Sequence, residues 1–323
     1  MNRGLVCSAL LFALMTGCVC AQTYPAKVVR VIVPHPPGGP GDVPPRGIAQ
    51  GLAQALGQPF VIENREGADG LIGAEACAKA APDGYTLCAT SVGTMLVNPA
   101  VRKEATYNLS KFAAVVHTGT LQQVILGSPN LAANSMAELL ALAKTKPDSI
   151  TVGTMGGVNL ASLLIGWAKA EQGVRFYQIP FKSASQSVQS AMAGDVNVVT
   201  YAMGPSVRLV QSGKLKALAL SPRANPAALP GVPGVRESGV GFEFNTWWGW
   251  FAPAGTPPEV VRKLNAEIAK LLADPAFVAK HLASQGLVSE DVTGAPPEAF
   301  ERYIRQEAER FAQLMKLLDI KAQ

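Results

Sequence analysis

The sequence is short of the side chains that carry out chemistry. Its 323 residues include only three histidines, His35, His117 and His281, and only 16% are charged. No paired-His, His-x-Glu or Cys-x-x-Cys spacing is present, so no metal centre is indicated, and no Gly-x-Ser-x-Gly elbow offers a nucleophile. Positive charge is thin as well: a formal net charge of +5 comes from scattered lysines and arginines, which speaks against a nucleic-acid footprint. After residue 21 no run reaches the ~18 apolar residues of a membrane-spanning helix. Cysteine is scarce too: of five, Cys7, Cys18 and Cys20 precede residue 22, leaving Cys77 and Cys88. Two thiols do not make a scaffold. We read them as buried small hydrophobes, with pairing open to them in an oxidising compartment.

What is present is ample apolar material, 48% of the chain, enough for one large domain or two. Residues 1–21 read as a secretory signal: Arg3 gives a positive start, Leu5 to Met15 is apolar, and Val19-Cys20-Ala21 offers a small-residue cut before Gln22. Export to the periplasm is the expectation, and processing at Cys18 after Met15-Thr16-Gly17 is the alternative, which would leave a lipid tether.

The most informative stretch is Pro34 to Arg46, which joins the β-forming run Val28 to Val33 to a helix marked by Ile48, Leu52 and Leu56 and stopped by Gly57. Its glycines allow close backbone approach, its prolines stiffen it, and a helix start offers unpaired N–H groups that suit an anion. A rigid strand-to-helix turn is the alternative reading. Gly38-Gly39-Pro40-Gly41 lacks the Lys-Ser/Thr of a phosphate loop and the spaced third glycine of a dinucleotide fingerprint, so no nucleotide or other cofactor is indicated. His35 borders this loop. Asp42 reads as its organiser, because a carboxylate would repel an anionic ligand.

The same unit of strand, polar or glycine loop and amphipathic helix then recurs, which is α/β patterning. Strands are expected at 60–63, 85–89, 113–116, 124–127, 151–153, 176–180, 196–200, 216–220 and 247–251. Helices are expected at 71–81, after the capping box Ser135-Met136-Ala137-Glu138, after Asn159, after Pro258, after Asp274 and from Pro297 to about Leu318. The proline-rich run from Pro222 to Pro233 reads as a linker or as a crossover to the first part of the chain. In each unit the loop follows the carboxyl end of its strand, where open α/β sheets bind ligands.

Several segments, each weak alone, are specific in their order and spacing: Tyr24-Pro25, Pro36-Pro37-Gly38-Gly39 with Asp42 and Arg46, Glu63-Asn64-Arg65 with Gly67-Ala68, and Pro82-Asp83-Gly84-Tyr85-Thr86-Leu87. Asn98-Pro99, Gly213 to Ala219, Trp248-Gly249 with Phe251 to Pro257, and Leu264-Asn265 continue the series. Over essentially all of its mature length the chain resembles the Bug family of extracytoplasmic solute-binding proteins, the receptor component of tripartite tricarboxylate transporters. The resemblance implies an α/β, two-lobed periplasmic-binding-protein fold of the type II-like flytrap kind, with a ligand cleft between the lobes. Carried onto this chain, lobe 1 comprises 22–120 and 222–323 and lobe 2 comprises 121–221, with crossings near 118–126 and 217–224.

The same resemblance places ligand contacts at Gly38, Gly39, Asp42, Ala68, Gly70 and Ser91, with His35 beside them, and in the second lobe at Thr154, Gly156, Lys182 and Tyr201. It implies a monomer without catalytic residues or cofactor that binds a small organic acid or amide. The partner would be the membrane permease of such a transporter or, alternatively, a sensor kinase, and an extracytoplasmic enzyme is the least favoured reading. His35, Pro45, Asn159 and Ser183 depart from the family pattern around the site, so ligand identity does not carry over.

Overall fold

The computed structural model describes residues 24–147, 149–155, 157–222 and 226–320. The leader read at 1–21, its alternative cut at Cys18 and the expected contact Gly156 lie outside the described residues. The chain opens with β1 (Val29–Val33), buried except at Arg30, as suits an inner strand covered on both faces. Helix α1 (Val43–Leu56) carries Pro44 and Pro45 in its first turn, where no N–H is needed, and stops at Gly57 in the left-handed region with φ 71°. Next come β2 (Phe60–Asn64), α2 (Leu71–Ala78), β3 (Thr86–Ser91), α3 (Asn98–Val101) and β4 (Phe112–Leu121). Helix α2 ends three residues before its expected limit, and β3 runs on to Ser91.

A second series follows: β5 (Gln123–Gly127), α4 (Met136–Thr145), β6 (Thr151–Met155), α5 (Leu160–Gln172), β7 (Tyr177–Phe181), α6 (Ala184–Ala193), β8 (Val198–Ala202), α7 (Met203–Gln211) and β9 (Lys216–Leu220). The chain closes with β10 (Thr246–Pro253), α8 (Pro258–Leu272), α9 (Pro275–His281), β11 (Leu287–Val288) and α10 (Pro297–Leu317). The Ser135 hydroxyl accepts the Glu138 N–H as a capping box requires, while the Glu138 carboxylate takes the N–H of Asn134 instead of Ser135.

Two sheets result, and the fold is two-lobed. The first has the strand order β11-β4-β10-β3-β1-β2 and the second β7-β6-β8-β5-β9. In the first sheet β1 pairs in parallel with β2 and β3, while β10 runs antiparallel to β3 and β4. Because β10 pairs with β4 along its whole length, β4 reaches from Phe112 to Leu121, beyond the apolar run that marks it in the sequence. In the second sheet β6 is parallel to β7 and β8, and β5 is antiparallel to β8 and β9.

The first sheet ends at Leu121 and the second begins at Gln123, so a single residue, Gln122, joins them on the outward pass. The return runs from Ser221 through a short turn at Pro226–Ala228 to Thr246, and the proline-rich run is therefore a crossover. On the first sheet α8 and α10 pack against β4, burying Val260, Val261, Leu264 and Ile268 from one and Phe300, Ile304, Phe311 and Leu314 from the other. The terminal helix stripe is core, as its periodicity suggests.

One expectation is corrected. Cys77 on α2 and Cys88 on β3 are joined as a disulfide, with Cα atoms 6.2 Å apart. Both residues are fully buried, so they also fill core volume as expected. Nothing in the sequence places α2 directly over β3, and that placement is what brings the thiols together.

Candidate functional site

A cavity of about 580 Å³ opens where the two sheets face each other. On the first-sheet side its wall is made by the loops that follow β1, β2 and β3: Pro34 to Pro36 with Pro40, Glu66 to Gly70, and Ser91 to Gly93. Leu121, Phe244, Thr246 and Trp248 complete that side, and Gln123, Met155, Val158 and Asn159 face them from the second. The volume is that of a small-molecule pocket.

Of the expected contacts, His35, Ala68, Gly70 and Ser91 line this cavity together. Gly38 and Gly39 do not, and neither do Asp42, Thr154, Lys182 and Tyr201. The two loop glycines face open space, with nothing within 4 Å of where a Cβ would stand. Gly39 instead accepts the N–H groups of Asp42 and Val43 through its carbonyl, which builds the entry to α1. In the second sheet Thr154 is buried and accepts a hydrogen bond from Gln178 at 2.8 Å, Lys182 is exposed at the end of β7, and Tyr201 is half-buried beside an apolar cluster.

Asp42 organises the loop, as its sequence position suggests. Its carboxylate accepts from the Gly38 N–H at 2.9 Å, Arg46 Nε at 2.8 Å and Asn64 Nδ2 at 2.8 Å. Asn64 Nδ2 also donates to the His35 carbonyl, so one buried acid ties together the loop, α1 and the end of β2. Burial by itself would raise the Asp42 pKa. The hydrogen bonds from Arg46, Asn64 and Gly38 and the charge of Arg46 outweigh burial and hold the carboxyl below its ordinary range.

His35 packs edge-on to Trp248, with ring centroids 4.8 Å apart, and its Nε2 lies 3.2 Å from Thr90 Oγ1. Burial pushes its pKa down to about 4, so the ring is neutral near pH 7. The chain from Gly67 to Gly70 has φ values of 120°, 47°, 55° and 93°, a run in which two residues, Ala68 and Asp69, pay for an uncommon conformation without being glycine. This strained turn puts the N–H groups of Ala68 and Asp69 at the cavity with no backbone acceptor among the described residues, and it leads into α2. The Asp69 carboxylate is paired with Arg102, and Asn98 Nδ2 donates to the Asp69 carbonyl at 2.9 Å, so the strain is held from both ends.

Several wall residues escaped the sequence reading. Trp248 and Thr246 belong to β10, which enters between β3 and β4 only through tertiary pairing that sets Trp248 opposite Ser91. Gln123 accepts from Thr246 Oγ1 at 3.2 Å, and the polar pair Gln122-Gln123 between two apolar runs is the signal that could have found it. Met155 and Val158 read only as members of the loop between the strand expected at 151–153 and the helix after Asn159, and neither is among the expected contacts. No lysine or arginine lines the cavity among the described residues, and none of their His, Cys, Asp and Glu groups could hold a metal ion.

The comparisons with known proteins agree with this layout. A family model described as the tripartite tricarboxylate transporter family receptor matches residues 45–320. The chain is 33% identical over 301 residues to protein BugT of Bordetella pertussis, covering 92% of this chain and 91% of that one. Among solved structures, an R. palustris protein with adipate superposes with a TM-score of 0.79 at 28% identity, covering 93% of this chain and all of that one (100%). MatC of Rhodopseudomonas palustris with bound malate gives a TM-score of 0.76 at 28% identity, covering 90% of this chain and 99% of that one.

Proposed function

The chain belongs to the tripartite tricarboxylate transporter receptor family, and from that premise we propose that it captures a small carboxylate between its two lobes and presents it to a membrane permease. The observation that carries this reading is the cavity between the two sheets, where Ala68 and Asp69, whose backbone N–H groups have no acceptor among the described residues, and Ser91 share one wall. Such a wall suits an anion without any cationic side chain, because successive unpaired backbone N–H groups in a turn make an anion-binding concavity. Similar proteins have been solved with adipate and with malate.

The wall holds no residue arranged as a nucleophile beside a base, which favours a receptor over an enzyme. No described helix is long and apolar enough to cross a membrane. The permease follows from the receptor family, and the secretory leader read from the sequence would deliver the receptor outside the cytoplasm. A ligand bridging the lobes couples capture to closure, since both walls touch it only when they are close.

Mass spectrometry of solute released from freshly purified protein is expected to return a small organic acid. The same acid, added back at about 100 times its Kd, should stabilise the fold by about 2.7 kcal/mol in thermal unfolding. Ser91→Val should weaken binding roughly tenfold with an unchanged circular dichroism spectrum. Turnover of the acid, or no thermal shift with any carboxylate, would overturn the reading.

A further inference from the structure

The two walls of the cavity differ in what they offer an anion. On the first-sheet wall the turn before α2 closes the Gly70 and Leu71 N–H groups on the carbonyls of Gly67 and Ala68, Gly70 adopts φ 93° with no side-chain cap, and the N–H groups of Ala68 and Asp69 have no acceptor among the described residues. The Thr94 hydroxyl, buried and without a partner among the described residues, lies 2.7 Å from where a Cβ on Gly70 would stand. The two N–H groups of Ala68 and Asp69, with the unpaired Thr94 hydroxyl behind Gly70, leave this corner short of hydrogen-bond acceptors, which a carboxylate would supply.

The opposite wall is already satisfied. Asn159 Oδ1 accepts from the N–H groups of Ala161 at 3.1 Å and Ser162 at 3.2 Å, and Ser162 Oγ accepts the Asn159 N–H at 2.8 Å, so the first turn of α5 is closed on its own side chains. Ser183 does the same for α6, accepting the Gln186 N–H at 3.3 Å. Asn159 and Ser183 are two of the four departures noted in the sequence. Besides the uncharged amides of Gln123 and Asn159, what this side presents to the cavity is Met155 and Val158, facing Trp248, Phe244 and Leu121 across the space. A second carboxylate bound there would lose its hydration and meet, among the described residues, neither a cation nor a free helix start.

Resting on the receptor reading, we propose that the ligand has a single carboxylate, held at the Ala68–Asp69 turn before α2, and an apolar ring-sized body packed between Trp248 and Phe244 on one side and Met155 and Val158 on the other. The selectivity comes from the asymmetry. Lobe 1 supplies the anion contacts, and lobe 2 closes an apolar surface over the rest of the molecule.

Calorimetric titration of the dialysed mature protein with phenylacetate, cyclohexanecarboxylate, acetate, malate and adipate separates the possibilities. A ring-bearing monocarboxylate is expected to bind at least about tenfold more tightly than adipate, malate or acetate. Malate or adipate binding as tightly as phenylacetate would overturn the single-carboxylate assignment and leave the receptor reading standing, while acetate binding as tightly would overturn the apolar body. Absence of binding by all five would sink both the inference and the carboxylate reading. Asn159→Gly, which costs a helix start only a few tenths of a kcal/mol, frees two N–H groups of α5. It is expected to shift the adipate-to-phenylacetate affinity ratio toward adipate by roughly fivefold. An unchanged ratio would overturn the role given to the cap.

Discussion

At the scale of single residues, the buried polar groups divide into those that build and those that face the cavity. Asp42 builds, with its carboxylate committed to three donors. His117 also builds: its Nδ1 lies 3.0 Å from Thr293 Oγ1, its Nε2 is buried and unpartnered among the described residues, and Phe300 and Tyr303 enclose the ring. Burial pushes the His117 pKa down to about 3 from an ordinary 6.5. A histidine held neutral in the fold contributes stability above pH 6.5, and that stability is lost as pH falls from 6.5 toward 3 because the unfolded chain binds the proton first. Within that window each such histidine costs about 1.4 kcal/mol per pH unit. His35 behaves alike down to about pH 4. Urea unfolding of His117→Gln between pH 6.5 and 4.5 is therefore expected to show a shallower slope than the parent by about one proton, and an identical slope would contradict the burial account.

At the scale of elements, the sequence pattern located most helices and strands, while their partners came from elsewhere in the chain. The α1 stop at Gly57 and the α4 start at Ser135 are local events, written in residues that cap or break a helix wherever they stand. The Cys77–Cys88 link is not local in this sense, because it depends on α2 lying over β3, and closing a loop of this size contributes about 3 kcal/mol. Strand β10 gives the clearest case. Its apolar run is legible, yet only the packed fold shows α10 lying so near that a Cβ on Gly249 would stand 2.4 Å from the Phe300 ring and 3.0 Å from the Val116 carbonyl. Phe300 is fully buried and cannot swing away. Gly249→Ala is expected to lower stability by about 1–3 kcal/mol in denaturant unfolding, whereas Ala at the exposed Gly204, where nothing lies within 4 Å, should be close to neutral.

At the scale of the whole molecule, two sheets meet through Gln122 and the long return that leads into β10. One place where their rims approach is at Gly157, where a Cβ would stand 3.2 Å from the Asp69 carboxylate. Gly157 has φ 74° and follows β6, whereas Asp69 sits in the strained turn before α2 and lines the cavity, so this contact links the two lobes beside it. Gly157→Leu is expected to keep the lobes apart. Small-angle scattering should then show ligand-induced contraction in the parent and little in the variant, with affinity reduced roughly tenfold as closure is taxed. Equal contraction in both would remove Asp69 and Gly157 from the closing rim.

The sequence by itself determined the alternation of strand and helix, the loop from Pro34 to Arg46, the organising role of Asp42 and the family, since each rests on local chemistry or on ordered short motifs. It also put His35, Ala68, Gly70 and Ser91 at one sheet edge, because each follows or ends a strand in one parallel series. Only the tertiary structure decided that Trp248 stands opposite Ser91, that Met155 and Val158 face them across a cavity, and that Gly38 and Gly39 turn away from it. The physical reason is that a loop's sequence sets which conformations it can adopt, while the wall it joins is set by the register of strands distant in the chain and by how two sheets come to face each other.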